Sequence, residues 1–144
     1  MLAIVLMMVP QLATAANTTI PKTSPPPLVF KPKAVYTGYT YLYTSAISTV
    51  DNKDQTVTIT ATTTTKVVVS TIGASVQLQK WTGSAWINVG TVKDLFDWNT
   101  SALVKTSTKY TESGYYFRAK VTHYATHNGT TESVIEYSSS FLAQ

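Results

Sequence analysis

Val76-Gln77-Leu78-Gln79-Lys80-Trp81-Thr82-Gly83-Ser84-Ala85-Trp86-Ile87-Asn88-Val89 reads as a β-hairpin, and its register decides the fold. Gly83-Ser84 suits a two-residue type II′ turn, because Gly takes the first central position at positive φ. That turn pairs Leu78 with Val89 on the core face. It sets Trp81 opposite Trp86 on the other face, beside Gln77, Gln79 and Asn88. Period-two alternation of this kind, with one wet face, marks antiparallel sheets.

The same alternation recurs outward in both directions. Val57, Ile59 and Ala61 alternate with Thr56, Thr58, Thr60 and Thr62, and Tyr115, Phe117, Ala119 and Val121 with Tyr116, Arg118, Lys120 and Thr122. A second hairpin turns near Asn128-Gly129. A two-residue turn there would bury Glu136 opposite Val121. A three-residue loop with Gly129 as a left-handed bulge pairs Val121 with Ile135 inside and Lys120 with Glu136 outside, and is preferred. Asp94 to Asp97 reads as a short helical turn, and no window supports a long amphipathic helix. The economical fold is all-β: an antiparallel immunoglobulin-like β-sandwich of about seven strands.

Composition agrees. Thr is over-represented, charged residues are only 12%, and the net charge of +4 is spread thinly. That charge suits mild attraction to anionic surfaces; no basic cluster or nucleic-acid motif is present. With no cysteine, thiolate metal sites and thiol nucleophiles are excluded. No Gly-x-Ser-x-Gly elbow or Gly-rich phosphate loop occurs. The expectation is a protein that is not an enzyme and carries no cofactor.

At the N-terminus, Leu2 to Val9 is an apolar run followed by Ala13-Thr14-Ala15, the small-x-small pattern of signal peptidase cleavage. The run is shorter than the ~20 apolar residues a membrane span needs. Residues 1–15 are therefore read as a secretory signal and the protein as secreted, without a membrane span. Residues 16–35 form a Pro-rich extended linker carrying Pro21, Pro25, Pro26, Pro27 and Pro32. Residues 36–144 are the β-sandwich domain. Leu28-Val29-Phe30 is an apolar island in the linker, suited either to docking on its own domain or to adding to a neighbour's sheet edge.

Two segments carry a family likeness. One is Leu78-Gln79-Lys80-Trp81 with Trp86-Ile87-Asn88-Val89. The other is Gly114-Tyr115-Tyr116-Phe117-Arg118-Ala119-Lys120-Val121-Thr122-His123-Tyr124 with Asn128-Gly129 and Glu132-Ser133. Together they resemble a group of small, uncharacterised secreted proteins of Gram-positive bacteria. The resemblance implies export and a compact all-β domain, and carries over no activity and no site.

Candidate chemistry centres on Trp81 and Trp86. Indoles stack on the apolar faces of sugar rings, while Gln77, Gln79 and Asn88 could orient the hydroxyls. Two plainer accounts stand beside this one: a cross-strand aromatic pair that stabilises the hairpin by ~0.5–1 kcal/mol, or a pair covered by the Leu28 to Phe30 segment or a loop. His123 and His127 lie four apart on a strand, ~13 Å along it, which suits structural or solvated roles better than shared metal ligation. Asp94 and Asp97 could bind calcium or form an acid/base pair, but capping of a short turn accounts for both. The leading expectation is a secreted non-catalytic binding module for an extracellular glycan or cell-wall polymer, cell-wall associated. The alternative is a structural subunit of an extracellular assembly, self-associating through Leu28, Val29 and Phe30.

Overall fold

The structure is a computed structural model and describes residues 18–28 and 34–144. The signal peptide assigned to residues 1–15, and Val29 and Phe30 of the apolar island, lie outside the described residues. The described chain is all-β: β1 Ala34–Val35, β2 Leu42–Asp51, β3 Thr56–Trp81, β4 Trp86–Tyr110, β5 Tyr116–His127, β6 Thr130–Tyr137 and β7 Phe141–Leu142. Every pairing is antiparallel, in the order β1-β2-β3-β5-β6, with β4 also on β3 and β7 also on β5.

The first hairpin has the expected register. Leu78 pairs with Val89, Gln79 with Asn88 and Trp81 with Trp86. Thr82 N donates to Ala85 O at 3.0 Å, and Gly83 stands at φ 101°. Its arms are far longer than the sequence suggested. Asp94 to Asp97 is strand, not a helical turn: each of the four residues pairs with β3, between Ile72 and Ser75.

At ~3.3 Å per residue β3 would overrun a domain of this size, so it bends. Thr64 pairs with Ala102 but Val69 with Thr100, so β3 advances five residues while β4 advances two. A second bulge lies in β4, where Val76 pairs with Lys93 but Leu78 with Val89, and Gly90 takes φ 69°. The first half of β3 carries β2 and the end of β4; the second half carries the start of β4 and β5.

Both halves contribute to one core. Leu42, Val57, Ile59, Ala61 and Leu103 come from one half; Ile72, Val76, Leu78, Phe117 and Val121 come from the other. Burial of each of these Leu, Val, Ile and Phe side chains contributes roughly 1.5–3 kcal/mol. Thr63 marks the closure, its hydroxyl meeting His123 Nδ1 at 2.7 Å and Gly73 O at 3.4 Å.

The second hairpin corrects the expected three-residue loop. His127 pairs with Thr130 and Val121 with Glu136, around a two-residue Asn128-Gly129 turn with φ 49° and 75°. Positive φ at both central residues defines the type I′ turn. The register that seemed to bury a carboxylate is adopted because that carboxylate has partners. Glu136 accepts a short hydrogen bond from Ser45 Oγ on β2. Among the described residues no helix is long and apolar enough to cross a membrane.

Candidate functional site

The type II′ turn brings Trp81 and Trp86 together, ring centroids 5.3 Å apart and planes inclined by 52°. The pair is not an open platform but is partly covered, as one of the plainer accounts had it, with Ser24 rather than Leu28 to Phe30 over Trp81. Trp81 is only 8% exposed, and its Nε1 donates to Ser24 O at 3.1 Å. The cover is the Pro-rich segment, which is docked on the domain. Lys22 N donates to Gly114 O at 2.7 Å. Lys22 and Lys80 both reach Glu112, at 3.2 and 2.6 Å, and both stand over the Tyr115 ring.

Trp86 faces a different neighbour. The Arg118 guanidinium lies 4.4 Å from its ring centroid and 4.2 Å from that of Tyr137. Arg118 Nε donates to Gln79 Oε1 at 2.8 Å, and Gln79 Nε2 donates to Asn88 Oδ1 at 2.9 Å. Register explains the row, since Gln79 pairs with Asn88 on β4 and Arg118 on β5. An Asn–Gln–Arg ladder therefore crosses three strands and ends between two aromatic rings. Burial lowers the guanidinium from its ordinary value, and Tyr137 opposes that shift.

Trp86 and Arg118 open onto a cleft of about 220 Å³, whose other walls are Pro27, Leu28 and Ser138 to Ser140. Ser138 is fixed by accepting Ala119 N and donating to Ser139 O, both at 2.8 Å. A guanidinium held between rings offers several donors in a rigid fork, and the indole offers an apolar face.

Of the five sequence-derived candidates, only Trp86 lines this cleft; Gln79 and Asn88 stand behind it, joined to it through Arg118, and Trp81 lies beneath the cover. Gln77 belongs elsewhere. Its Nε2 donates to Val89 O at 2.7 Å, closing the β4 bulge, and Gln77 itself is buried. Sequence reasoning missed Arg118, Tyr137 and the serines. Arg118 did carry a signal, as an outward residue of an alternating strand.

The remaining candidates are engaged structurally. Asp94 accepts Ser75 Oγ at 2.7 Å and the Tyr124 hydroxyl at 3.0 Å; Asp97 pairs with Lys105 at 2.7 Å. They are neither an acid/base pair nor caps of a helical turn. Burial, then Asp94, pushes the Tyr124 phenol up to about 12. His127 packs edge-on against Tyr41.

His123 is fully buried, with Nε2 3.7 Å from Glu136 Oε2. Burial lowers its pKa to about 4, against the pull of Glu136. Tyr36 OH meets Ser45 Oγ at 2.6 Å, and burial raises that phenol, with Ser45 opposing and Glu136 adding to the shift. The chain Tyr36–Ser45–Glu136–His123–Thr63 holds a serine, an acid and a histidine in the wrong order for a nucleophilic triad. In that triad the histidine stands between the other two.

No family model matches this chain. No curated protein matches it. Among solved structures, the protein titled "Crystal structure of protein from Archaeoglobus fulgidus" is similar at 11% identity and a TM-score of 0.35, over 72% of this chain and 98% of that one.

Proposed function

We propose that this is a secreted, non-catalytic binding module whose ligand is a carbohydrate or cell-wall polymer. The observation that carries the reading is the Arg118 guanidinium held between Trp86 and Tyr137 at the mouth of a serine-walled cleft. A sugar ring can stack on the indole edge of that cleft while the guanidinium and serine hydroxyls bond its oxygens. We read the doubled sheet as an immunoglobulin-like β-sandwich and the N-terminus as an export signal, in keeping with the resemblance to secreted Gram-positive proteins. The non-catalytic reading is supported by the Ser45–Glu136–His123 order and by the full burial of Ser45 and His123.

The test is retention of the purified protein on cell wall and insoluble polysaccharides at low and high salt. Retention that resists salt and falls at least tenfold in Trp86→Ala and Arg118→Ala is expected. Retention in both variants as strong as that of the unaltered protein would remove this site.

A second reading, a structural subunit that self-associates through Leu28, Val29 and Phe30, is favoured by Leu28 standing 98% exposed. Sedimentation of the protein with and without residues 17–33 separates the two, because only an assembly subunit falls from oligomer to monomer.

A further inference from the structure

We propose that the cleft between the two halves of β4 is a binding site for a phosphate group, distinct from the Trp86 cleft and independent of the glycan reading. The bend in β3 folds the end of β4 back over its beginning, leaving a cavity of about 700 Å³ between them. Leu78 and Val89 line its apolar side, and Ser107 lines it from the same face of β4 as Lys109. Two lysines stand over it, Lys93 from one half and Lys109 from the other.

Lys109 is fixed there. Its Nζ donates to Thr91 O at 2.7 Å, so the charge is held at the cleft rather than swinging in solvent. Burial pushes its ammonium down, and Lys93 adds to that shift. The charged form of Lys109 is thus disfavoured by its neighbour as well as by burial, and an anion entering the cleft relieves both.

The protein supplies no such anion. Among the described residues neither Lys93 nor Lys109 has a carboxylate within ion-pair distance, and no acidic residue lines the cleft. The nearest in sequence, Asp94, is turned to Ser75 and Tyr124, and Asp97 is neutralised by Lys105. Two ammonium groups with the Ser107 hydroxyl on the same face match a multiply charged tetrahedral oxyanion better than a single carboxylate. The cavity is large enough for the phosphate together with the unit that carries it.

The experiment is a titration of the full chain, followed by backbone amide chemical shifts, with inorganic phosphate and separately with glycerol 3-phosphate, at constant ionic strength. Saturating shifts confined to Thr91, Lys93 and Thr106 to Lys109 are expected. Lys93 is exposed, so Lys93→Gln should fold normally and bind roughly tenfold more weakly, the worth of one charged hydrogen bond. Trp86→Ala should bind phosphate unchanged, which separates this site from the glycan reading. Tighter binding of the ester would identify a phosphate carried on a larger molecule; equal binding would identify the free anion. Shifts that never saturate, or that are as large in Lys93→Gln, would overturn the proposal.

Discussion

The ring of Tyr124 occupies the space a side chain would need at Gly73. A β-carbon there would stand 2.1 Å from Tyr124 Cζ. Gly73 on β3 pairs with Tyr124 on β5, and the phenol passes over it to reach Asp94 on β4. One aromatic side chain thus ties three strands together, and only glycine beneath it permits this.

Gly73→Ala should therefore destabilise the protein by about 1–3 kcal/mol, the usual cost of overpacking. Tyr124→Phe should cost less, because the ring stays and only the bond to Asp94 is lost. Denaturant unfolding of the two variants checks the order.

Glu132 closes the loop before β2. Its carboxylate accepts the backbone N–H groups of Thr40, Tyr41 and Leu42 at 2.6, 2.8 and 2.9 Å. Burial works against ionisation, but these bonds outweigh it and hold the carboxyl below its ordinary value. The stability it contributes is complete above the unfolded carboxyl value and is lost as pH falls through the lower folded one. Glu132→Gln should remove about 1–2 kcal/mol at neutral pH. The loss should shrink in acid, as a pH series of unfolding curves would show.

His123 acts in a different window. Its folded value of about 4 lies below the unfolded imidazole, so the unfolded chain takes up the proton first. Stability should be full above pH ~6.5 and fall as the pH drops toward 4, by roughly 3 kcal/mol in all. The slope reports one proton. A His123→Gln variant, however destabilised overall, should lose that slope between pH 6.5 and 4.

Trp81 and Trp86 should respond unequally to truncation. Trp81→Ala removes a buried indole and the anchor of Ser24, and should cost about 3 kcal/mol. It should also make the Lys22 to Ser24 segment sensitive to protease. Trp86→Ala should change stability by only ~1 kcal/mol. Melting curves with limited proteolysis decide this.

What was legible in the sequence was local. The Gly83-Ser84 turn and the alternation around it fix Trp81 against Trp86, because all the determinants lie within a dozen residues. Asn128-Gly129 was misread by one residue. The shorter turn seemed to bury Glu136, and its Ser45 partner lies 91 residues away. Arg118 escaped for the same reason, since its bond to Gln79 spans 39 residues and depends on β3 pairing with β5. Asp94 to Asp97 resembled a capped turn, yet long-range pairing with β3 overrides that local preference.

Because a single hairpin supplies strands to both halves of the sheet, the chain can assemble by zipping. Trp81 meets Trp86 across four intervening residues, and each further rung up to Thr56 with Tyr110 adds a little more chain to a loop already nearly closed. Loop-closure entropy then rises in small steps rather than in one large one. A topology of this size with such long strands would otherwise belong among slow folders. Here the tip of the hairpin is placed to start the reaction, and the rungs beyond the bend at Thr65 to Val69 to finish it.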